Sequence, residues 1–313
     1  MSERLRPGPL ASLSLLLFSI LPGCTSEPEI TLPICRLAPD LATEVQREID
    51  RAGPNVVAGI WLARPDNEPL FALRPEEAMS CASSIKTAYM LELFAESPDL
   101  DAPFPGTKAI LDNPKHPAVV HFSAEQRATA KKLLGDASIR RMAEAMMNGR
   151  GVDNATYNIA ANLVTAHFGG PAKLTKRLHE RSPSWAGLYV RRYMLANRTT
   201  NGDNEATAHA LAAVLEQMAL GAVPGVTPEA LDAARKIMAK KPEGQNQSFT
   251  KGGSLNSSPA TRVRSGFRTG PTGSVAWAIM LTREVIGNEQ RTAGPKLSEA
   301  TKAIERLLLR AVP

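Results

Sequence analysis

Cysteine is scarce, with three in 313 residues, and histidine little commoner at five. Such a chain is not a small disulfide-stapled scaffold. No Cys/His grouping has the spacing of a zinc site, so neither a metal nor an organic cofactor is expected. Aromatic residues make up only 5%. The basic residues come as scattered pairs (Lys131-Lys132, Arg140-Arg141, Arg191-Arg192, Lys240-Lys241) and not as a stripe interleaved with rings. That argues against a nucleic-acid partner despite a net charge of +6. Long apolar runs are missing, with one short exception from Leu10 to Leu21. About a dozen residues cannot span a bilayer as a helix, but with Arg4 and Arg6 ahead of them they suit a secretion signal. The remaining composition, 43% hydrophobic and 22% charged, is that of a globular protein with ample material for a core.

The apolar run ends in Leu21-Pro22-Gly23-Cys24. This resembles a bacterial lipobox, although Pro22 replaces the usual small residue. Residues 1–23 are therefore expected to be a signal peptide, Cys24 a lipidation site and residues 24–38 a tether. The protein is expected in the cell envelope, held to a membrane by its lipid on the periplasmic or extracellular side. An oxidising compartment would permit a Cys35–Cys81 bridge, but the sequence does not fix the distance between them.

Residues 40–52 carry a helical stripe at Leu41, Val45 and Ile49, stopped by Gly53-Pro54. Asn55 to Arg64 and Leu70 to Leu73, around Pro65-Asp66-Asn67, predict a β-hairpin. A second helical pattern runs from Ser83 to Glu96. Residues 123–227 are mostly helical, with a long amphipathic stretch from Ala206 to Leu220. Three strands follow, Gln247 to Leu255, Arg262 to Arg268 and Val275 to Leu281, and a helix from Ser298 to Leu309. The expected class is α/β (α+β): a five-stranded antiparallel sheet flanked by terminal helices, with an inserted all-helical lobe. Residues 39–95 and 228–313 are expected to form the α/β lobe and 96–227 the helical lobe, together one domain. The groove between them is the natural ligand site.

The sharpest chemical feature is Ser83-Ser84-Ile85-Lys86, an S-x-x-K at a loop-to-helix junction. Positions i and i+3 share a helix face, so the Lys86 amine is expected near the Ser83 hydroxyl. A desolvated lysine can accept a serine's proton, and a helix N-terminus suits a developing oxyanion.

In this context the chain resembles the serine β-lactamase and penicillin-binding-protein superfamily, most closely its class A β-lactamase-like branch, over residues 40–310. The resemblance makes Ser83 the acylated nucleophile and Lys86 its motif lysine. Val152-Asp153-Asn154 resembles the family's S-D-N loop. Asn154 would bind the substrate's amide side chain and help position the lysine. Val152 stands where a serine passes a proton to the leaving nitrogen, and an isopropyl group cannot do that. Tyr157 reads as a packing residue, with a substitute relay as the alternative. Lys251-Gly252-Gly253-Ser254 resembles the K-T-G motif. Lys251 would supply a cation for the substrate carboxylate, Gly253 a bare strand edge, and Ser254 a compensating hydroxyl for the one lost at Gly252. The glutamate with which class A enzymes activate water has no counterpart in residues 192–205. Glu205 reads as helix-start charge, and Asp203 and Asn204 as caps.

The resemblance implies a serine hydrolase acylated at Ser83, acting on a small β-lactam or a peptide-like amide or ester, with slow deacylation. Two alternatives stand beside it. One is a penicillin-binding-like carboxypeptidase or esterase. The other is a catalytically weakened lipoprotein that uses the same groove to bind a ligand or partner.

Overall fold

The computed structural model describes residues 33–312. The expected signal peptide, Cys24 and the tether as far as Leu32 lie outside the described residues. The described residues form one compact unit.

The chain opens with strand β1 (Ile34–Cys35), inside the segment read as a tether, followed by helix α1 (Leu41–Ala52) and the hairpin β2 (Val57–Ala63) and β3 (Pro69–Leu73). Strand β4 (Met79–Ser80) leads into α2 (Lys86–Ala95). The helical block comprises α3 (Thr107–Asp112), α4 (Ala124–Leu134), α5 (Ile139–Asn148), α6 (Asn154–His167) and α7 (Pro171–Arg181). Short elements β5 (Leu188–Tyr189), α8 (Arg198–Asn201) and β6 (Glu205–Ala206) precede α9 (Ala208–Leu220) and α10 (Pro228–Met238). Three long strands, β7 (Gln247–Leu255), β8 (Ala260–Gly270) and β9 (Gly273–Arg283), come before the closing helix α11 (Gln290–Ala311).

The five expected strands pair antiparallel, and β1 adds a sixth at the edge, giving the order β1-β3-β2-β9-β8-β7. Early and late strands meet at β2 and β9, where Trp61 faces Ala278. Period-two alternation divides the sheet's side chains between two cores. Ile60, Leu62, Trp277, Ile279 and Leu281 pack with Leu41, Val45 and Ile49 of α1 and Leu297, Ile304 and Leu308 of α11. Ala276, Ala278 and Met280 face the other way, into the core shared with the helical block. That face is small-sided. A Cβ on Gly59 would sit 3.7 Å from the Ala208 methyl, so α9 packs directly on the sheet although it belongs to the block read as a separate lobe.

Caps fix where the helices begin. Ser123 and Gln126 form a capping box on α4, Asp153 accepts from the Thr156 amide at 2.7 Å on α6, and Thr207, not Asp203 or Asn204, caps α9. A small sheet in the order β4-β6-β5 closes the base of loop 190–204. Cys35 and Cys81 are both free thiols. Cys35 lies on the sheet edge, whereas the buried Cys81 thiol donates to the Asn204 carbonyl at 3.2 Å. Burial pushes that thiol far above its ordinary range. No described helix is long and apolar enough to cross a membrane.

Candidate active site

Ser83 sits on a turn just ahead of α2, at the expected loop-to-helix junction. Ala82 has φ +49°. The amides of Lys86, Thr87 and Ala88 donate to the carbonyls of Ser83, Ser84 and Ile85 at 3.3, 3.3 and 3.0 Å, so the chain enters the helix through i→i+3 turns. Ser83 reaches the wall of a cavity of about 590 Å³, which Asn154, Tyr157, Asn158, Arg192, Met194 and residues 252–256 also line. Strand β7 comes very close here. A Cβ on Gly253 would lie 2.7 Å from the Cys81 carbonyl and 2.8 Å from the Ser83 amide nitrogen, which only glycine avoids.

Lys86 is fully buried. Its amine donates to Asn158 Oδ1 at 3.1 Å and lies 3.3 Å from the centroid of the Tyr157 ring. No hydrogen bond joins the Lys86 and Ser83 side chains among the described residues. The lysine's asparagine is Asn158, not Asn154. Asn154 lines the cavity and accepts from Asn158 Nδ2, 2.9 Å to its carbonyl and 3.3 Å to its side chain. Burial, and then the charge of Lys251, hold the Lys86 amine well below the usual lysine range.

Lys251 is expected to present its cation to a substrate carboxylate. Instead it is buried, with its amine on the Met147 carbonyl and, at 2.8 Å, on the Tyr157 hydroxyl. Burial, helped by the charge of Lys240, pushes it down to about 7. Val152 packs against the helical core, and Tyr157 lines the cavity together with Ser83. Burial raises this phenol. Tyr157 is thus not merely packed. It stands where Ser83, Lys86 and Lys251 converge.

The lysine predicts a pH effect on stability. In the folded chain Lys251 loses its proton near 7, whereas unfolded lysine holds its proton to about 10.4. Between these values the unfolded state binds the extra proton, so stability rises with pH by up to about 1.4 kcal/mol per unit from this group. Urea midpoints are expected to climb from pH 7 to 8.5, below the range in which the upward-shifted Cys81 and Tyr89 act in the opposite sense. Lys251→Met should reduce the slope, and an unchanged slope would contradict this account.

The loop across the cavity lacks a free carboxylate. Asp203 lines the wall, but Arg192 holds it at 3.1 and 2.6 Å, Arg198 pairs with it, and Ser80 donates to it at 3.1 Å. Glu205 pairs with Arg191 at 2.6 Å. Met194 of this loop also lines the cavity and is clamped through its backbone. Its amide donates to Asn162 Oδ1 at 2.6 Å, and its carbonyl receives Asn162 Nδ2 at 3.1 Å and meets His121 Nε2 at 2.8 Å. Among the arginines of the wall, Arg192 and Arg264 are paired with Asp203 and Glu305. Arg262 instead donates to Leu255 and Thr261 carbonyls and Asn256, with no carboxylate partner among the described residues. Ser254 lies exposed on the wall beside Gly253. No described group of three His, Cys, Asp or Glu side chains could hold a metal ion.

Sequence reasoning missed Asn158, Met194 and Arg262, and weighed Tyr157 first as a packing residue. The signal for Asn158 was present in its spacing, four residues beyond Asn154 and so one turn along the same face.

The fold matches solved class A enzymes. The last common ancestor of Gram-negative bacteria β-lactamase class A aligns with a TM-score of 0.62 and 18% identity, covering 85% of this chain and 98% of the ancestor. A halotolerant bacterial β-lactamase aligns with a TM-score of 0.59 and 16% identity, covering 84% and 99%. No curated protein sequence matches. A family model described as the beta-lactamase enzyme family matches residues 40–248, two thirds of the chain. The chain therefore belongs to the beta-lactamase enzyme family.

Proposed function

We propose that the cavity is an acyl-transfer site in which Ser83 attacks the carbonyl of a β-lactam or a related amide or ester and holds the acyl group as a slowly hydrolysed ester. One observation carries the reading: Ser83 lines the cavity together with Tyr157, whose hydroxyl and ring meet two buried lysines whose basicity burial has lowered. Such surroundings can take up a serine's proton at neutral pH, which a solvated lysine cannot. The Ser83 amide, unpartnered among the described residues, and the β7 edge at Gly253 supply backbone for a developing oxyanion. Asn154 suits the donor's amide side chain. Arg262, with Ser254 beside it on the wall, suits its carboxylate in place of the buried Lys251.

Slow release follows from the wall opposite. Without a free carboxylate near Met194, nothing there takes a proton from attacking water. The same feature favours a second reading, a catalytically weakened protein that retains the groove for ligand binding. Export and lipid attachment at Cys24 in the cell envelope remain part of the proposal, supported by the apolar run and Cys24 of the sequence.

Incubation with a fluorescent penicillin, followed by intact-mass analysis, tests the reading. A lasting adduct is expected, and Ser83→Ala should abolish it. Absence of an adduct from penicillins and activated esters alike would leave only the binding role. Fast turnover of a chromogenic cephalosporin would refute slow release.

A further inference from the structure

Gly253 turns one face of the edge strand β7 toward Ser83. On the opposite face lies a second cleft, of about 630 Å³, built by β7, β8, the last turns of α11 and the chain just beyond α10. Ser248, Thr250 and Gly252 alternate along that face, and their partners across the ladder are Arg268, Gly266 and Arg264. Small residues beside the two arginines keep the floor open. A Cβ on Gly252 would meet the Val263 carbonyl oxygen at 3.2 Å and nothing else within 4 Å. The arginines are held in place. Glu305 receives Arg264 Nε at 2.6 Å and, on its other oxygen, Trp277 Nε1 at 3.0 Å. Arg268 donates to the Leu309 carbonyl at 3.1 Å. The lysine-bearing segment is tied to β7, with the Lys240 amide on the Ser248 carbonyl at 2.9 Å and Gln247 Nε2 on the Lys240 carbonyl at 2.6 Å.

The charge of this cleft is one-sided. Lys240, Lys241, Arg264, Arg268, Arg306 and Arg310 line it, against two carboxylates, Glu243 and Glu305. Glu305 is committed to Arg264. The other five cations and Glu243 form no ion pair among the described residues. Ser248 and Thr250 add two hydroxyls that have no hydrogen-bond partner among the described residues. Unrelieved positive charge in a concavity focuses the field and draws anions, and an arginine fork suits two oxygens of one group. Charge balance then selects among oxyanions. A carboxylate supplies one negative charge and a phosphate monoester close to two, so a pair of phosphates matches the excess within a small volume. Lys240, Lys241, Arg306 and Arg310 are exposed, whereas Arg264 and Arg268, on the sheet, are half-buried. A small ligand reaches that depth and a flat bilayer surface does not.

We propose that this cleft is a binding site for a small molecule carrying two or more phosphate groups. The site goes beyond the acyl-transfer reading and holds whether or not Ser83 is acylated. Gly252 and Arg264 line both openings, so the bound phosphates sit against the back of the strand whose other face closes on Ser83.

Calorimetric titration of the full chain with tripolyphosphate tests the site. One site per chain is expected, about tenfold or more tighter than for inorganic phosphate. Arg306→Gln combined with Arg310→Gln alters two exposed side chains and should weaken binding about 10²-fold, the range of two lost charge-assisted contacts. Lys241→Gln, in the segment after α10, should weaken it about tenfold. Lys115→Gln combined with Lys132→Gln removes as much charge from exposed positions outside the cleft and should leave the affinity nearly unchanged. Equal losses from the two pairs would reduce the effect to net charge and overturn the site, as would an absence of saturable binding or no loss from the arginine pair. Citrate binding as tightly as tripolyphosphate would overturn the phosphate assignment. Phosphatidylglycerol vesicles should displace tripolyphosphate no better than neutral phosphatidylcholine vesicles. Displacement by the anionic vesicles alone would make the cleft a membrane-facing patch and overturn the small-ligand site.

Discussion

Met194→Glu is expected to turn a long-lived acyl-enzyme into a hydrolysing one, speeding release of the Ser83 ester by about 10²-fold, the range of one well-placed general base. The site is prepared for it. Three hydrogen bonds from Asn162 and His121 fix the Met194 backbone, and its side chain already lines the cavity that Ser83 enters. Asn204 Nδ2, 3.8 Å from the thioether sulfur, is placed to donate to a carboxylate there. The existing acid on that wall, Asp203, is tied by two arginines and Ser80. Adduct lifetime by mass and steady-state turnover of a cephalosporin measure the effect. A variant that acylates normally yet releases no faster would show that slow release has another cause.

Glu92→Ala is expected to lower unfolding free energy by about 3–5 kcal/mol, the usual consequence of removing one partner from a buried ion pair. Glu92, on α2, is fully buried. Its two oxygens meet Arg177 and Arg181 of α7 at 2.7 and 2.8 Å. Glu96 pairs with the same two guanidinium groups, each at 2.7 Å, and these charges hold its carboxyl below the usual range. Glu96 remains after the substitution, and Arg177 is partly exposed, so the lower end of the range is the better expectation. A shift in urea midpoint at constant slope measures it. A loss under about 1 kcal/mol would mean that Glu96 and water compensate fully. Because α2 begins at Lys86, this cluster also anchors the helix on which the site is built.

Much of the fold was legible because local pattern and tertiary burial agree. The stripe Leu41, Val45, Ile49 is the buried face of α1, and the alternating residues of β9 divide between the two cores. Strand β1 was not legible. Two residues carry no periodicity, and Ile34–Cys35 becomes a strand only because the β3 edge is there to pair with it. Ser83, Lys86, Asn154, Gly253 and Ser254 were singled out from local motifs, and the structure places all of them but the buried Lys86 on one cavity wall. What the motifs could not show is who touches whom. Lys251 and Tyr157 are 94 positions apart, and their contact depends on how β7 lies against α6. Val152 reads as a lost function from its motif, and the structure adds only that it packs against the helical core. Asp203 looked like a cap because its arginine partners, Arg192 and Arg198, identify themselves only once the loop folds back.

Arg198 has a further consequence. One of its nitrogens holds Asp203, and the other reaches across to the Ser257 hydroxyl and Ser258 carbonyl, each at 2.7 Å, beyond the end of β7. The loop and the strand end that flank the cleft are thereby strapped together, so a displacement of one carries the other with it and the two flanks of the cleft keep a single spacing.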